Sequence, residues 1–240
     1  IIRAALTTLF AVFFVTAVLI FQENMYQWQM QSNKDRFGDW FIMDIGSRQP
    51  DSNLTDHIYI EQPVKVSRSV NVLNDDWQST GFYVGSFSSE FLAQSHIKLD
   101  EGRQPENSGE IAMDWNTLLT LGYNGEIGES INLKYCDNNS IGNKEKRNTK
   151  TYTLVGIYRN YTNIWNNGKQ IPSAVVVDRE LSQFNYDTRS VFLYPIKPSI
   201  KTDDYKAVFD SIKEKTSKSY TYNSGVYDYK PWGSTSIRSE

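Results

Sequence analysis

The chain carries one thiol, Cys136, and two imidazoles, His57 and His96, in 240 residues. A thiol beside an imidazole base is the minimum apparatus for covalent acyl transfer. Cys136 is followed by Asp137-Asn138-Asn139, a turn sequence rather than a strand end that would hold a nucleophile in place, so this pairing reads as chance. A single cysteine also excludes an internal disulfide and a multi-cysteine zinc site. Two pairs of adjacent acids, Asp75-Asp76 and Asp203-Asp204, offer oxygen ligands, but neither has the alternating spacing of a calcium loop. No Gly-x-Ser-x-Gly, His-Glu-x-x-His, phosphate-cradling Gly-rich loop or Cys-x-x-Cys occurs. The residues therefore point away from an enzyme, and neither a metal nor a cofactor is expected.

Lys144, Lys146, Arg147 and Lys150, interrupted by Glu145, form the one basic cluster, which reads as a solvated hairpin tip. The whole chain has 25 Lys and Arg against 28 Asp and Glu, a net charge of -3, the wrong sign for a nucleic-acid partner. Asn53, Asn138 and Asn160 each head an Asn-x-Ser/Thr triplet, as chance provides in an Asn-rich chain.

The elements that would position any site begin with a strong asymmetry. Residues 1–21 contain a single charge, Arg3, and 21 helical residues reach roughly 31 Å, enough to cross a hydrocarbon core. The run is longer than the apolar part of a secretory signal and leads into Gln22 and Glu23, so a retained membrane helix is the reading. Arg3 at one end and Glu23 at the other place the N-terminus in the cytoplasm. The 219 residues that follow hold 24 basic and 28 acidic side chains and no second apolar run of spanning length, as for an extracellular or periplasmic domain. Tyr26 and Trp28, and later Tyr227, Tyr229 and Trp232, are aromatic residues of the kind that sit at a membrane interface. The chain begins at Ile1 and stops at Glu240 without a terminal signature, which reads as a segment of a longer protein in which 233–240 lead into a second membrane helix.

Residues 22–37, free of Gly and Pro, continue the helix outward as a stalk with Met25, Trp28 and Ser32 on one face, and Gly38 stops it. Strands are expected at 40–45, 64–70, 81–87, 110–113, 130–135, 150–158, 173–178 and 190–194, from apolar runs or period-two alternation between turn residues. Helices are expected at 54–60, at 114–121 with Asp114 as cap, and at 203–215 behind Thr202, with Tyr205, Val208, Phe209 and Ile212 on its buried face. The fold class is α+β in two lobes. Residues 38–95 and 185–232 make an α+β lobe, and 96–184 make an inserted β-rich lobe.

One passage, Leu99 to Met113, contains Gly102-Arg103-Gln104-Pro105 and then Glu110-Ile111. It is followed by Leu118-Leu119, Gly122, Gly128 with Ser130-Ile131, and Tyr152 to Ile157 with Gly156. In that order these residues resemble the extracytoplasmic core domain of MacB-like and FtsX-like ABC transporter permeases. Their expected roles are structural: Gly102 and Gly109 make turns, Ile111 starts a buried strand, Gly128 permits a sharp turn, and Gly156 marks a bulge or close backbone approach. The resemblance implies a permease subunit working as a homodimer or heterodimer with a cytoplasmic ABC ATPase. It would transmit ATP-driven motion to export or release a peptide or lipid-linked substrate. Two other readings stand beside it, the ligand-sensing domain of a membrane receptor and an FtsX-like regulator of a cell-wall hydrolase.

Overall fold

The apolar start and the polar continuation form one helix, α1 (Ile2–Phe37), of 36 residues and about 54 Å. The computed structural model describes residues 2–137, 143, 146–165, 171–184, 189–200, 205–216 and 218–228. From Leu6 to Phe21 the large apolar side chains of α1 are exposed. Beyond them the helix lies on the rest of the protein, the head, through Tyr26 and Met30, which are buried, and Phe37, which is half-buried. The face expected from the sequence is a different one: Met25 is 45% exposed and Trp28 64%. The spacing 26, 30, 37 sets an unbroken stripe against the aromatic core of the head, where Met25 and Trp28 point away from it. Tyr26 and Tyr227 are therefore core residues rather than interface anchors, and Tyr229 and Trp232 lie outside the described residues.

Among the described residues the head contains ten strands, β1 (Ile42–Ser47), β2 (Val64–Leu73), β3 (Ser79–Ser86), β4 (Leu99–Gly102), β5 (Glu110–Asp114), β6 (Ser130–Cys136), β7 (Asn148–Tyr158), β8 (Ala174–Val175), β9 (Arg189–Tyr194) and β10 (Thr221–Tyr222). Its helices after α1 are α2 (Ser52–Thr55), α3 (Ser89–Ser95), α4 (Trp115–Thr120), α5 (Asp178–Leu181), α6 (Tyr205–Glu214) and α7 (Ser224–Tyr227). The expected helix at 54–60 shrinks to α2, because Ile60 leaves the helix to bridge Ile196. The expected strand at 173–178 is only β8, since Asp178 already opens α5. Thr202 and Asp203-Asp204 lie outside the described residues.

The strands run β10-β1-β9-β2-β3-β8-β5-β7-β4, and β6 joins β2 to β7. β2, β3, β8, β5, β7 and β6 thus close a ring of six strands. Closure is possible because β2 divides its length: Val64–Arg68 pairs with β9, and Asn71–Leu73 pairs with β6. The ring is filled by Val70, Val72, Phe82, Val84, Ile111, Met113, Ile131, Leu133, Tyr152 and Leu154, with Leu118 and Phe184 closing on it. β2 and β3 lie in the 38–95 stretch, so strands from both expected lobes share the ring.

One buried charge ties the ring to its loops. Glu180 on α5 is fully buried, accepts from Lys150 Nζ on β7, and accepts from the Gly109 amide at 3.3 Å just before β5. Removing the lysine strands a carboxylate in apolar surroundings. We expect Lys150→Ala to cost about 3 kcal/mol in chemical denaturation, the low end for a buried pair because Lys150 is partly exposed, and Lys150→Ala with Glu180→Leu to recover most of it. A single-mutant loss below about 0.5 kcal/mol would show that the pair is not what holds α5 to the ring.

Candidate functional site

The helix that leaves the apolar run ends inside the head, and the residues that receive it form the candidate site. A helix leaves its last carbonyls without intrahelical donors. Gly38, at φ +82°, stops α1 and donates its N–H back to Lys34 O at 2.8 Å. A Cβ at Gly38 would stand 2.8 Å from the rings of both Trp40 and Trp165, so the chain must be bare here as well as left-handed. Trp40 donates Nε1–H to Phe37 O at 2.7 Å, and its ring lies 5.5 Å from that of Trp165.

Three distant segments grip this turn. The first is Asn223, buried at the start of α7. Its side-chain amide donates to Trp40 O at 2.8 Å, Gly38 O at 3.1 Å and Phe37 O at 3.4 Å, while its own N–H donates to Phe41 O at 3.1 Å. Gly225 then lets α7 meet the Phe37 ring, which would be 2.8 Å from a Cβ there. The second is the end of α3, where Gln94 O accepts from Asp39 N at 2.8 Å and His96 Nδ1 lies 3.0 Å from Asp35 of α1. Lys34 adds an ion pair to Asp39 at 2.9 Å. The third is the turn carrying Trp165, held by Asp114. This carboxylate is fully buried, accepts Tyr161 N at 2.9 Å and Thr162 Oγ1 at 2.7 Å, and also caps α4 by accepting Asn116 N at 3.0 Å. Burial pushes the Asp114 carboxyl above its usual range, against the pull of those hydrogen bonds.

Beneath the grip, Phe41 meets Phe209, Tyr222 and Tyr227 edge to face at 6.4, 5.5 and 5.2 Å. Burial drives the Tyr227 phenol far above its ordinary value, with Asp39 adding to the effect, so it stays protonated. Next to this cluster a cleft of about 450 Å³ opens between Trp40, Trp165, Tyr222 and Asn223.

The residues singled out by type lie elsewhere. Cys136 is the last residue of β6, not a turn residue, and is fully buried; burial first, and Asp137 second, push its thiol up. That favours an inert thiol over a nucleophile. Asp75 is paired with Lys134 at 2.7 Å in the β2–β3 connection. The basic cluster does not act as one patch, since Lys150 turns to Glu180 and Arg147 lies over the Trp77 ring at 5.5 Å, while Lys144 lies outside the described residues. Among the described residues no three His, Cys, Asp or Glu side chains gather to hold a metal ion. Asn53 is exposed on α2, Asn160 precedes two buried residues, and Asn138 lies outside the described residues.

Four of the motif residues, Gly102, Arg103, Glu110 and Gly156, meet where β4 and β5 flank β7. Gly102 ends β4 opposite Gly156 of β7, rather than making a free turn. A Cβ on Gly102 would stand 2.2 Å from Val155 O, and one on Gly156 would stand 2.2 Å from Arg103 O. Val155 is passed over in the β5–β7 register at this point, a bulge beside the glycines. Arg103 grips Glu110 with two bonds of 2.8 and 2.7 Å, and the Glu106 and Asn107 amides donate to the same carboxylate at 2.9 and 3.1 Å. Pro105 is half-buried in the loop so closed, and Ile111 is fully buried in the core. Gly122 and Gly128 take left-handed turns with open space where a Cβ would be. Sequence reasoning missed Asn223, Gln94 and Trp165, which have no motif around them.

Two outcomes follow. Asn223→Ala leaves the Gly38 and Trp40 carbonyls without their side-chain donor, while Phe37 O keeps that of Trp40, and is expected to cost roughly 2 kcal/mol in urea unfolding, with Asn223→Asp worse because its carboxylate faces those oxygens. The Arg103 guanidinium, with the amide donors, holds the Glu110 carboxyl well below its ordinary 4.5. Its contribution is therefore present above that value and is lost as pH falls through the lowered one. The melting-temperature gap between the natural chain and Glu110→Gln should be steady from about pH 5 to 7 and close in more acidic solution; a gap that widens there would reverse the sign.

No family model matches the chain, and no curated protein matches it. Among solved structures it is similar to a domain assigned to a permease of Porphyromonas gingivalis, at 10% identity and TM-score 0.37, over 78% of this chain and 83% of that one. It is also similar to the periplasmic region of MacB from Actinobacillus actinomycetemcomitans, at 11% identity and TM-score 0.39, over 83% and 96% of the two chains. A third similarity is to the extracellular domain of the noncanonic ABC-type transporter YknZ from Gram-positive bacteria, at 11% identity and TM-score 0.34, over 76% and 98%.

Proposed function

We propose that this chain is the first membrane helix and outer domain of an ABC transporter permease, and that it carries motion from the membrane to the head. The observation that carries the reading is the continuity of α1, which runs without a break from an exposed apolar run into the Asn223 grip. A helix clamped at its end on three sides passes displacement on instead of bending at a linker. The ordered residues from Gly102 to Gly156 support the same family. In this reading residues 1–21 span the membrane with the N-terminus in the cytoplasm and 22–37 are the stalk; residues 233–240 lie outside the described residues. The division into a lobe of 38–95 with 185–232 and an inserted lobe of 96–184 is retained, with β2 and β3 shared between them. A cytoplasmic ABC ATPase binds nucleotide and shifts the membrane helices, and the head of a permease dimer moves to export or release a peptide or lipid-linked substrate.

The experiment is a pull-down of the full-length membrane protein in mild detergent, with mass spectrometry of what copurifies. A stoichiometric ABC ATPase is the expected result, and a Gly-Gly insertion in the stalk should leave that association intact while separating ATP hydrolysis from export. A response regulator, or no ATPase, would move the chain to the receptor class.

A further inference from the structure

Alongside the grip, the last turns of α1 and the head enclose a second cleft of about 300 Å³, the lower end of the range for small-molecule sites. Its charge is net positive, although Asp35 also lines it. Arg36 comes from the stalk, and Lys98 and Arg159 from the head. Arg159 is held by Asp100 through bonds of 3.0 and 2.8 Å, and His96 by Asp35 at 3.0 Å. Among the described residues, Arg36 and Lys98 have no carboxylate at ion-pair distance. Counting both Asp35 and Asp100 against the three fixed cations leaves a positive cleft.

The cleft also has unspent hydrogen-bonding capacity and an apolar wall. Asn160 lines it, and its side-chain oxygen is buried without a partner among the described residues. Turned over, that amide presents an N–H donor in the same place. Ile97 and Trp165 supply buried apolar surface. Separated cations, a spare amide and an aromatic wall in one small cleft match a ligand with an anionic end and an apolar body.

We infer that this cleft binds a small dissolved amphiphilic anion, a phosphate or carboxylate on an aromatic or aliphatic body, and that the bound anion ties the stalk to the head through Arg36 and Lys98. A lipid headgroup carries the same anionic chemistry. Residues 32–36 of α1, however, stand 11 to 15 residues beyond Phe21, about 16 to 22 Å up the helix axis, and a headgroup layer is only about 5 to 8 Å deep. The choice of a dissolved source rests on the proposed membrane span; the binding chemistry does not.

The test is calorimetric titration of the whole chain in nanodiscs of zwitterionic lipid, at fixed ionic strength, with phenyl phosphate and with inorganic phosphate. Phenyl phosphate is expected to bind saturably and more tightly than inorganic phosphate. Arg36→Ala and Lys98→Ala, both exposed and neither side chain hydrogen-bonded to Asn223, should each weaken it by about tenfold, and Lys98→Ala should do so with no change in melting temperature. Repeating the titration in phosphatidylglycerol nanodiscs should leave the affinity unchanged. No saturable binding, or variants that bind as the natural chain does, would overturn the site. Loss of binding only in the anionic nanodiscs would overturn the dissolved source in favour of lipid. None of these readouts depends on ATPase coupling, so the site and the permease reading fail separately.

Discussion

The carboxamide of Asn223 is the one contact on which the architecture turns. Where α1 stops, Phe37, Gly38 and Trp40 present carbonyls that the helix itself cannot satisfy. Water would serve in the open, but these groups lie between two tryptophans and a layer of tyrosines, where an unmet acceptor is costly. One side chain from the far end of the sequence meets all three. In doing so it fixes where the helix ends and where the first strand of the head begins.

Around that contact the head is built in two different ways. On the side of α1 a sheet of β10, β1, β9 and the first half of β2 carries α6 and α7 on an aromatic layer. On the other side the second half of β2 turns away into a closed ring around a buried apolar centre. The same strand serves both, so the two cores share a backbone rather than a linker. The Trp165 turn links them again. It is anchored by Asp114 at the end of a ring strand and ends against Gly38 at the end of α1.

Local chemistry made much of this legible from the sequence. The apolar run, the polar continuation and Gly38 delimit α1, and Asp114 announces a helix because an acid that accepts its own downstream amide favours that start. β2, β3, β5, β6, β7 and β9 follow from alternation or apolar runs. β4 was invisible because Leu99-Asp100-Glu101-Gly102 is mostly exposed and is held by pairing to β7 alone. α3 is only seven residues long, too short for a periodic signal. The joint was unreadable for a different reason: Asn223 and Gln94 acquire their role from carbonyl and amide groups of residues 37–41, and neither composition nor spacing records a partner that far along the chain. Tyr26 and Tyr227 look like interface aromatics by type, and only the packed structure distinguishes a ring facing lipid from one facing Phe41.

The closed ring has a consequence for how the chain reaches its native state. β2 and β3 emerge early, yet their ring partners β6 and β8 come from residues 130–136 and 174–175, and the ring core is incomplete until they dock. Contacts of such long sequence separation pay loop-closure entropy before any burial repays it, so the ring belongs to the slow class of folding topologies. During that interval the edges of β2 and β3 are open to pairing with other chains. An early hairpin that must wait for its partners in this way is the segment most in need of a chaperone as the domain emerges.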